Sequence, residues 1–148
     1  SAVHKIIFAG KNVLTRQERL DFIEICYAFL TLKILDILKP VSFSLSCKDG
    51  IDTGCASNAL LCMLMKMMSQ AEETAEDVHA LDTLLYAAPL LIRERPMLTD
   101  RYHRACSALK AIALARADHG YKEFVIDLKG AFHKLFEIDI CTIKTHMG

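Results

Sequence analysis

Apolar residues return at every third or fourth position along most of the chain, a spacing that predicts helices rather than strands. The longest such run covers about Arg16 to Leu38, with Leu20, Ile23, Tyr27, Leu30 (or Thr31), Ile34 and Leu38 in step. Thr15-Arg16-Gln17-Glu18 has the form of a capping box at its start. Pro40 stops it, because proline disfavours helix at the residue before it. A second helix begins near Ser57, and its segment Ala59–Met68 is apolar nearly all round, which predicts a central, buried element. Its methionines read as flexible core filler, with a plastic binding groove as the alternative. Thr74-Ala75-Glu76-Asp77 opens a third helix, acidic in its first turn, running to about Ala87, and Pro89 permits a kink or a fresh start. Thr99-Asp100 should cap a fourth helix with Tyr102, Ala105, Cys106, Leu109, Ile112 and Ala113 on one face, closed by Gly120. A fifth runs from Tyr121 to Phe136.

Three short stretches break the helical period. His4 to Ala9, the alternating Val41, Phe43 and Leu45, and the tail with Ile138, Ile140 and Ile143 read as short strands. The expected fold is mainly α, with about five helices in a compact bundle and a short β element leading into a Cys-containing loop. Residues 1–148 carry no linker and no internal repeat, so one domain is expected. The Ser-Ala-Val start lacks Met and suggests a piece of a longer chain.

Composition narrows the function classes. The chain is 53% apolar and 24% charged, which suits a folded core. Its 18 basic and 18 acidic residues balance, and no Trp is present, so a nucleic-acid partner is not expected. Glu24, Lys33 and Asp36 interrupt the longest apolar segment, which argues against a transmembrane span. Of six cysteines, Cys26, Cys62 and Cys106 sit in apolar helical patterns, and the absence of a Cys-x2-Cys pair argues against zinc. Reduced thiols and an intracellular setting follow, with no cofactor expected.

The chemistry concentrates in Pro40–Gly54. A short extended run meets Cys47, then a polar loop with Gly50 and Gly54, then a long helix. Strand, loop and helix N-terminus aim backbone N–H groups at one spot, and that spot attracts anions and stabilises a thiolate. Cys47-Lys48-Asp49-Gly50-Ile51-Asp52 resembles the loop of Legionella-type bacterial type IV effector phosphoinositide phosphatases, which runs Cys-Lys-Asp-x-x-Asp-Arg-Gly. A second patch, Leu85–Met97, is similar to the Ala-Pro-Ala-Leu…Lys-Gly-Arg-x-Met segment of that family. The resemblance implies that Cys47 is the nucleophile and that Lys48 adds charge for an inositol phosphate. It also implies that the amides of Lys48, Asp49, Gly50, Ile51, Asp52, Thr53 and Gly54 cradle the phosphoryl oxygens. Thr53 departs from the pattern at the loop arginine. A neutral hydroxyl in place of a forked cation should cost on the order of a thousand-fold in rate or more.

The expectation is therefore a degenerate phosphoinositide-phosphatase-like domain of an effector that a bacterium secretes into the host cytosol. It would bind a phosphoinositide or another phosphorylated ligand with little or no turnover. One alternative is a helical module that binds a host protein and has no ligand site. Another is an active phosphatase in which Arg93 or Arg95 replaces the missing guanidinium. Competing readings of single residues stay open. Asp49 and Asp52 could be catalytic carboxylates or could cap the following helix, and Arg93, Arg95, Arg101 and Arg104 could bind an acidic headgroup or a phosphoprotein or form a solvated face. A Cys47 protease would need one of six histidines, none in a signature context.

Overall fold

The computed structural model describes residues 1–43, 45, 50–69 and 74–143. Among them the chain forms six α-helices: α1 (Ala2–Ile7), α2 (Arg16–Leu38), α3 (Thr53–Ser69), α4 (Ala75–Arg93), α5 (Thr99–His119) and α6 (Tyr121–Phe132). A 3-10 turn, Ile140–Thr142, follows. The mainly α expectation holds.

α3 is the centre, as its all-round apolar sequence requires. Ala59, Leu64 and Met68 are fully enclosed, and Leu60, Leu61, Met63, Met65 and Met67 are buried. No single neighbour can cover every side of a helix, so α2, α4, α5 and the 3-10 turn all pack against it. Each enclosed Leu or Met side chain contributes roughly 1.5–3 kcal/mol by leaving water. α5 then bridges α3 to α2 and α6, and α1 closes the end formed by α5 and α6. Phe29 of α2 stacks on Phe132 of α6 at 4.6 Å between ring centres.

α2 packs by a face that its sequence does not advertise. The stripe Ile23, Tyr27, Leu30, Ile34 and Leu38, which marks the helix in the sequence, is exposed. The opposite face, Asp21, Ile25, Ala28, Phe29, Leu32 and Asp36, enters the core. Both acids are hydrogen-bonded there, Asp21 to neutral donors and Asp36 to a cation through Oδ2, while Asp36 Oδ1 is buried without a partner among the described residues. Asp21 accepts from Gln17 (2.9 Å) and from Ser107 of α5 (3.0 Å). Asp36 accepts from Lys33 (2.7 Å) and from the Glu137 amide (3.1 Å). The predicted capping box is present, with the Glu18 amide on Thr15 Oγ1 and the Thr15 amide on the Glu18 carboxylate.

None of the three expected strands forms among the described residues. Residues 2–7 are helical instead, because Val3, Ile6 and Ile7 share one face at helical spacing and bury it against α5 and α6. Ala9 and Gly10, both in left-handed conformation, end that segment. Val41 and Phe43 are exposed and have no partner strand, and a lone extended run cannot satisfy its backbone. In the tail, Ile140 is buried within the 3-10 turn, whose Cys141 amide donates to Asp139 (3.1 Å).

Helix boundaries also move. α3 starts at Thr53 rather than near Ser57. α4 passes through the buried Pro89 to Arg93, and α6 stops at Phe132. α5 begins directly after Leu98, without the side-chain cap expected from Thr99-Asp100.

α4 is locked to α3 at its N-terminus. Thr74 and Asp77 form a reciprocal capping box (2.9 and 3.2 Å), and the Lys66 ammonium of α3 binds Oδ1 of Asp77. Lys66 first, and then the Thr74 amide, hold the nearly buried Asp77 carboxyl at about 2, below its ordinary value. A carboxylate with a depressed folded pKa adds stability above its unfolded value of about 4, and that stability is lost as pH falls towards 2. Asp77→Ala should therefore cost about 1–3 kcal/mol at pH 7. In urea titrations at pH 7 and pH 3, the gap between variant and parent should narrow at the lower pH.

Candidate functional site

The two sequence patches that carry the family resemblance meet at one ion pair. Arg95 grips Asp52 with both nitrogens, Nη1 to Oδ1 at 3.0 Å and Nη2 to Oδ2 at 2.8 Å. Oδ1 also accepts the Leu98 amide at 2.9 Å. Asp52 immediately precedes α3, and Leu98 immediately precedes α5. The carboxylate thus sits at the positive ends of two helices and against one guanidinium. These surroundings, with Arg95 the largest influence, hold its carboxyl below the usual range and push the Arg95 pKa up.

A small apolar cluster supports the pair from below. Cys55, Ala59, Leu85, Met97 and Ala105 are buried together, so α3, α4, α5 and the segment 94–98 converge there. Ile51 is buried and Gly50 adopts φ +68, a left-handed turn that suits glycine. The Cys55 thiol donates to the Gly50 carbonyl at 3.6 Å. Asn58 in the second turn of α3 donates to the Leu45 carbonyl at 3.1 Å. Leu45 and Gly50 are thereby both tied to the start of α3.

Beside this junction lies a cavity of about 560 Å³. Its floor is the first turns of α3, at Thr53, Gly54 and Ser57. One wall is Ile23 and Tyr27 of α2, and the other is Arg101 and Arg104 of α5. Residues three apart on a helix share a face, which is why α5 brings two arginines to one wall. Arg104 also pairs with Glu24 of α2 at 3.3 Å. Arg101 lies close enough to Asp52 to help hold its charge. It also lines a neighbouring cavity of about 460 Å³ with Arg16, His103 and Asp100.

The expected site residues separate accordingly. Cys47, Lys48 and Asp49 lie outside the described residues. Gly50, Ile51, Asp52, Thr53 and Gly54 form the turn into α3, with Thr53 exposed at its first position. The Asp52 carboxylate grips Arg95 and Leu98 instead of capping its own helix. Arg95 is brought to the loop, but Asp52 takes both nitrogens of its fork. Arg93 is the exposed last residue of α4. Sequence reasoning missed Ile23, Tyr27 and Glu24 of α2 as walls of the site, and Asn58 as the anchor of Leu45. An uncharged or acidic position on a helix face gives no sign of which neighbour it will line.

Four other thiols and two histidines have structural surroundings. Burial pushes the Cys26, Cys62 and Cys106 thiols up, and it pushes Cys141 to about 11, so they stay protonated. His119 approaches Asp127 at 3.3 Å, and a His133 ring nitrogen lies 2.8 Å from the Gly130 carbonyl. No helix among the described residues is long and apolar enough to cross a membrane.

No family model, curated protein or solved structure matched the chain in comparison.

Removing the central carboxylate should loosen the junction. Asp52→Asn keeps the size but gives up the charge that Arg95 requires, at a cost of about 1–3 kcal/mol. Hydrogen exchange should rise in segment 94–98 and in the first turn of α3, while the far ends of α2 and α6 stay protected. Because the Asp52 pKa is lowered in the folded protein, the parent should lose this advantage as pH falls below about 4.

Proposed function

We propose that the chain is a degenerate phosphoinositide-phosphatase-like domain of a bacterial effector, one that holds a phosphorylated ligand without turning it over. The observation that carries this reading is the cavity at the start of α3, where Arg101 and Arg104 face the helix N-terminus. Two guanidinium groups and the first turn of α3 outweigh the one carboxylate in the lining, Glu24, which pairs with Arg104 at 3.3 Å, so the cavity favours a phosphate or an inositol phosphate. Its volume is in the range that accommodates small ligands.

The absence of turnover follows from two features. Thr53 stands where the family loop has its arginine, and the nearest replacement, Arg95, is engaged by Asp52 through two hydrogen bonds. Moving Arg95 onto a substrate would strand Asp52, already half enclosed, with no fork to pair it. An active phosphatase using Arg95 is therefore disfavoured.

The second reading, a helical module that binds a host protein, draws support from a separate observation. α2 exposes Ile23, Tyr27, Leu30, Ile34, Ile37 and Leu38 along one side. Exposed apolar patches of this extent are characteristic of interaction surfaces.

Titration calorimetry with a soluble inositol phosphate and a short-chain phosphoinositide separates the readings. Binding should weaken with salt, and Arg101→Ala and Arg104→Ala should each weaken it about ten-fold or more. A phosphate-release assay should give no signal above buffer. No binding by the parent chain would leave the protein-interaction reading, whereas turnover abolished by Arg95→Ala would restore the active-phosphatase reading.

A further inference from the structure

The exposed side of α2 has a register that the core packing does not explain. Leu20, Ile23, Tyr27, Leu30, Ile34 and Ile37 follow one another at spacings of three, four, three, four and three. That is the a/d seam of a coiled coil sustained over more than two heptads. The core-facing residues Ile25, Ala28, Phe29 and Leu32 lie on the opposite side, so the described core does not use the seam. We propose that this seam is a homodimer interface, in which α2 of one copy packs antiparallel against α2 of a second.

Several features single out a second copy as the occupant. The 3,4 spacing suits another helix lying nearly parallel or antiparallel along its whole length, rather than a compact pocket-filling group. No charged residue interrupts the seam, and the series is balanced about its midpoint. A two-fold axis between positions 27 and 30 sets Tyr27 against Leu30 of the partner subunit, Ile23 against Ile34 of the partner subunit and Leu20 against Ile37 of the partner subunit. Large residues meet large residues at every level, as an isologous interface needs.

The area is also adequate. Ile23, Tyr27, Leu30, Ile34 and Ile37 are 44, 64, 52, 47 and 63% exposed. Side chains of this size, about half open, present on the order of 500–700 Å² along the helix, at the upper end of what a monomer leaves bare. With flanking polar atoms this approaches the roughly 800 Å² per partner of a standard interface.

The antiparallel direction follows from charge. Arg16 and Arg19 stand at the N-terminal end of α2. An antiparallel partner brings the carbonyl end of its own α2 to them, with the partner's Lys39 already paired to a carboxylate as Lys39 is to Glu137 here at 2.6 Å. A parallel partner would instead set four arginines side by side at one end. The dimer does not depend on the anion site, although Ile23 and Tyr27 belong to both.

Light scattering with size exclusion on the full chain at about 100 µM tests the proposal. The parent should run at twice its 16.6 kDa mass. Leu30→Glu places two carboxylates at the centre of the interface and should weaken dimerisation about a hundred-fold or more, giving monomer with unchanged circular dichroism. Leu91→Glu, on the exposed side of α4, is the control and should leave the dimer intact. In the Tyr27→Lys/Leu30→Glu double variant each Lys faces a Glu of the other copy, so dimer should return. In a parallel pairing the same change sets like charges together.

A monomeric parent overturns the proposal, as does a dimer that survives Leu30→Glu. A double variant that stays monomeric overturns the antiparallel register. A monomeric parent that binds anionic vesicles through Leu30 would assign the seam to a lipid surface instead.

Discussion

α3 must be covered on every side, and most of the fold is a consequence of that demand. A helix with apolar residues all round has no face it can leave to water, so at least three neighbours must surround it. α2, α4, α5 and the 3-10 turn do so. The supporting polar contacts are arranged to tolerate this enclosure. Lys66, near the end of the central helix, reaches the Asp77 cap of α4, and the buried acids of α2 accept from Gln17, Ser107, Lys33 and the Glu137 amide. Each such charge is costly alone and acceptable when paired.

The start of the same helix is where chemistry and architecture compete. A helix N-terminus next to arginines is suited to an external anion, and the chain places one of its own anions there. Asp52 takes the Leu98 amide and both nitrogens of Arg95 that face it, so the junction of α3, α4 and α5 is held without a ligand. What remains for a ligand is the adjoining space with Arg101 and Arg104. The strongest donor fork at this junction, that of Arg95, is committed to structure.

Some of this is legible in the residues and some is not. The capping box at Thr15 depends on four consecutive residues and forms as expected; the one at Thr74 is equally local, although only the acidic first turn is read from the sequence there. The burial of Ala59–Met68 is equally local in origin, since nothing else can be done with such a surface. The short strands fail for a non-local reason: extended residues need a partner edge, and no described segment supplies one. Val3, Ile6 and Ile7 share a face only at helical spacing, and packing against α5 and α6 buries that face. The meeting of Asp52 with Arg95 spans 43 positions and has no local signature.

By itself the sequence determined five of the six helices among the described residues, α2 to α6, and the central place of α3. These follow from periodicity, turn chemistry and the identity of single side chains. Tertiary structure decided which of two apolar faces of α2 enters the core. Both faces satisfy the helical period, and the buried one is chosen by the shape of α3 and α5 and by hydrogen bonds that rescue Asp21 and Asp36. It also decided that Arg95 serves Asp52 and that Arg101 and Arg104 face a cavity. Such pairings depend on where helices cross, and a crossing is fixed by the summed packing of the whole bundle rather than by any stretch of its chain.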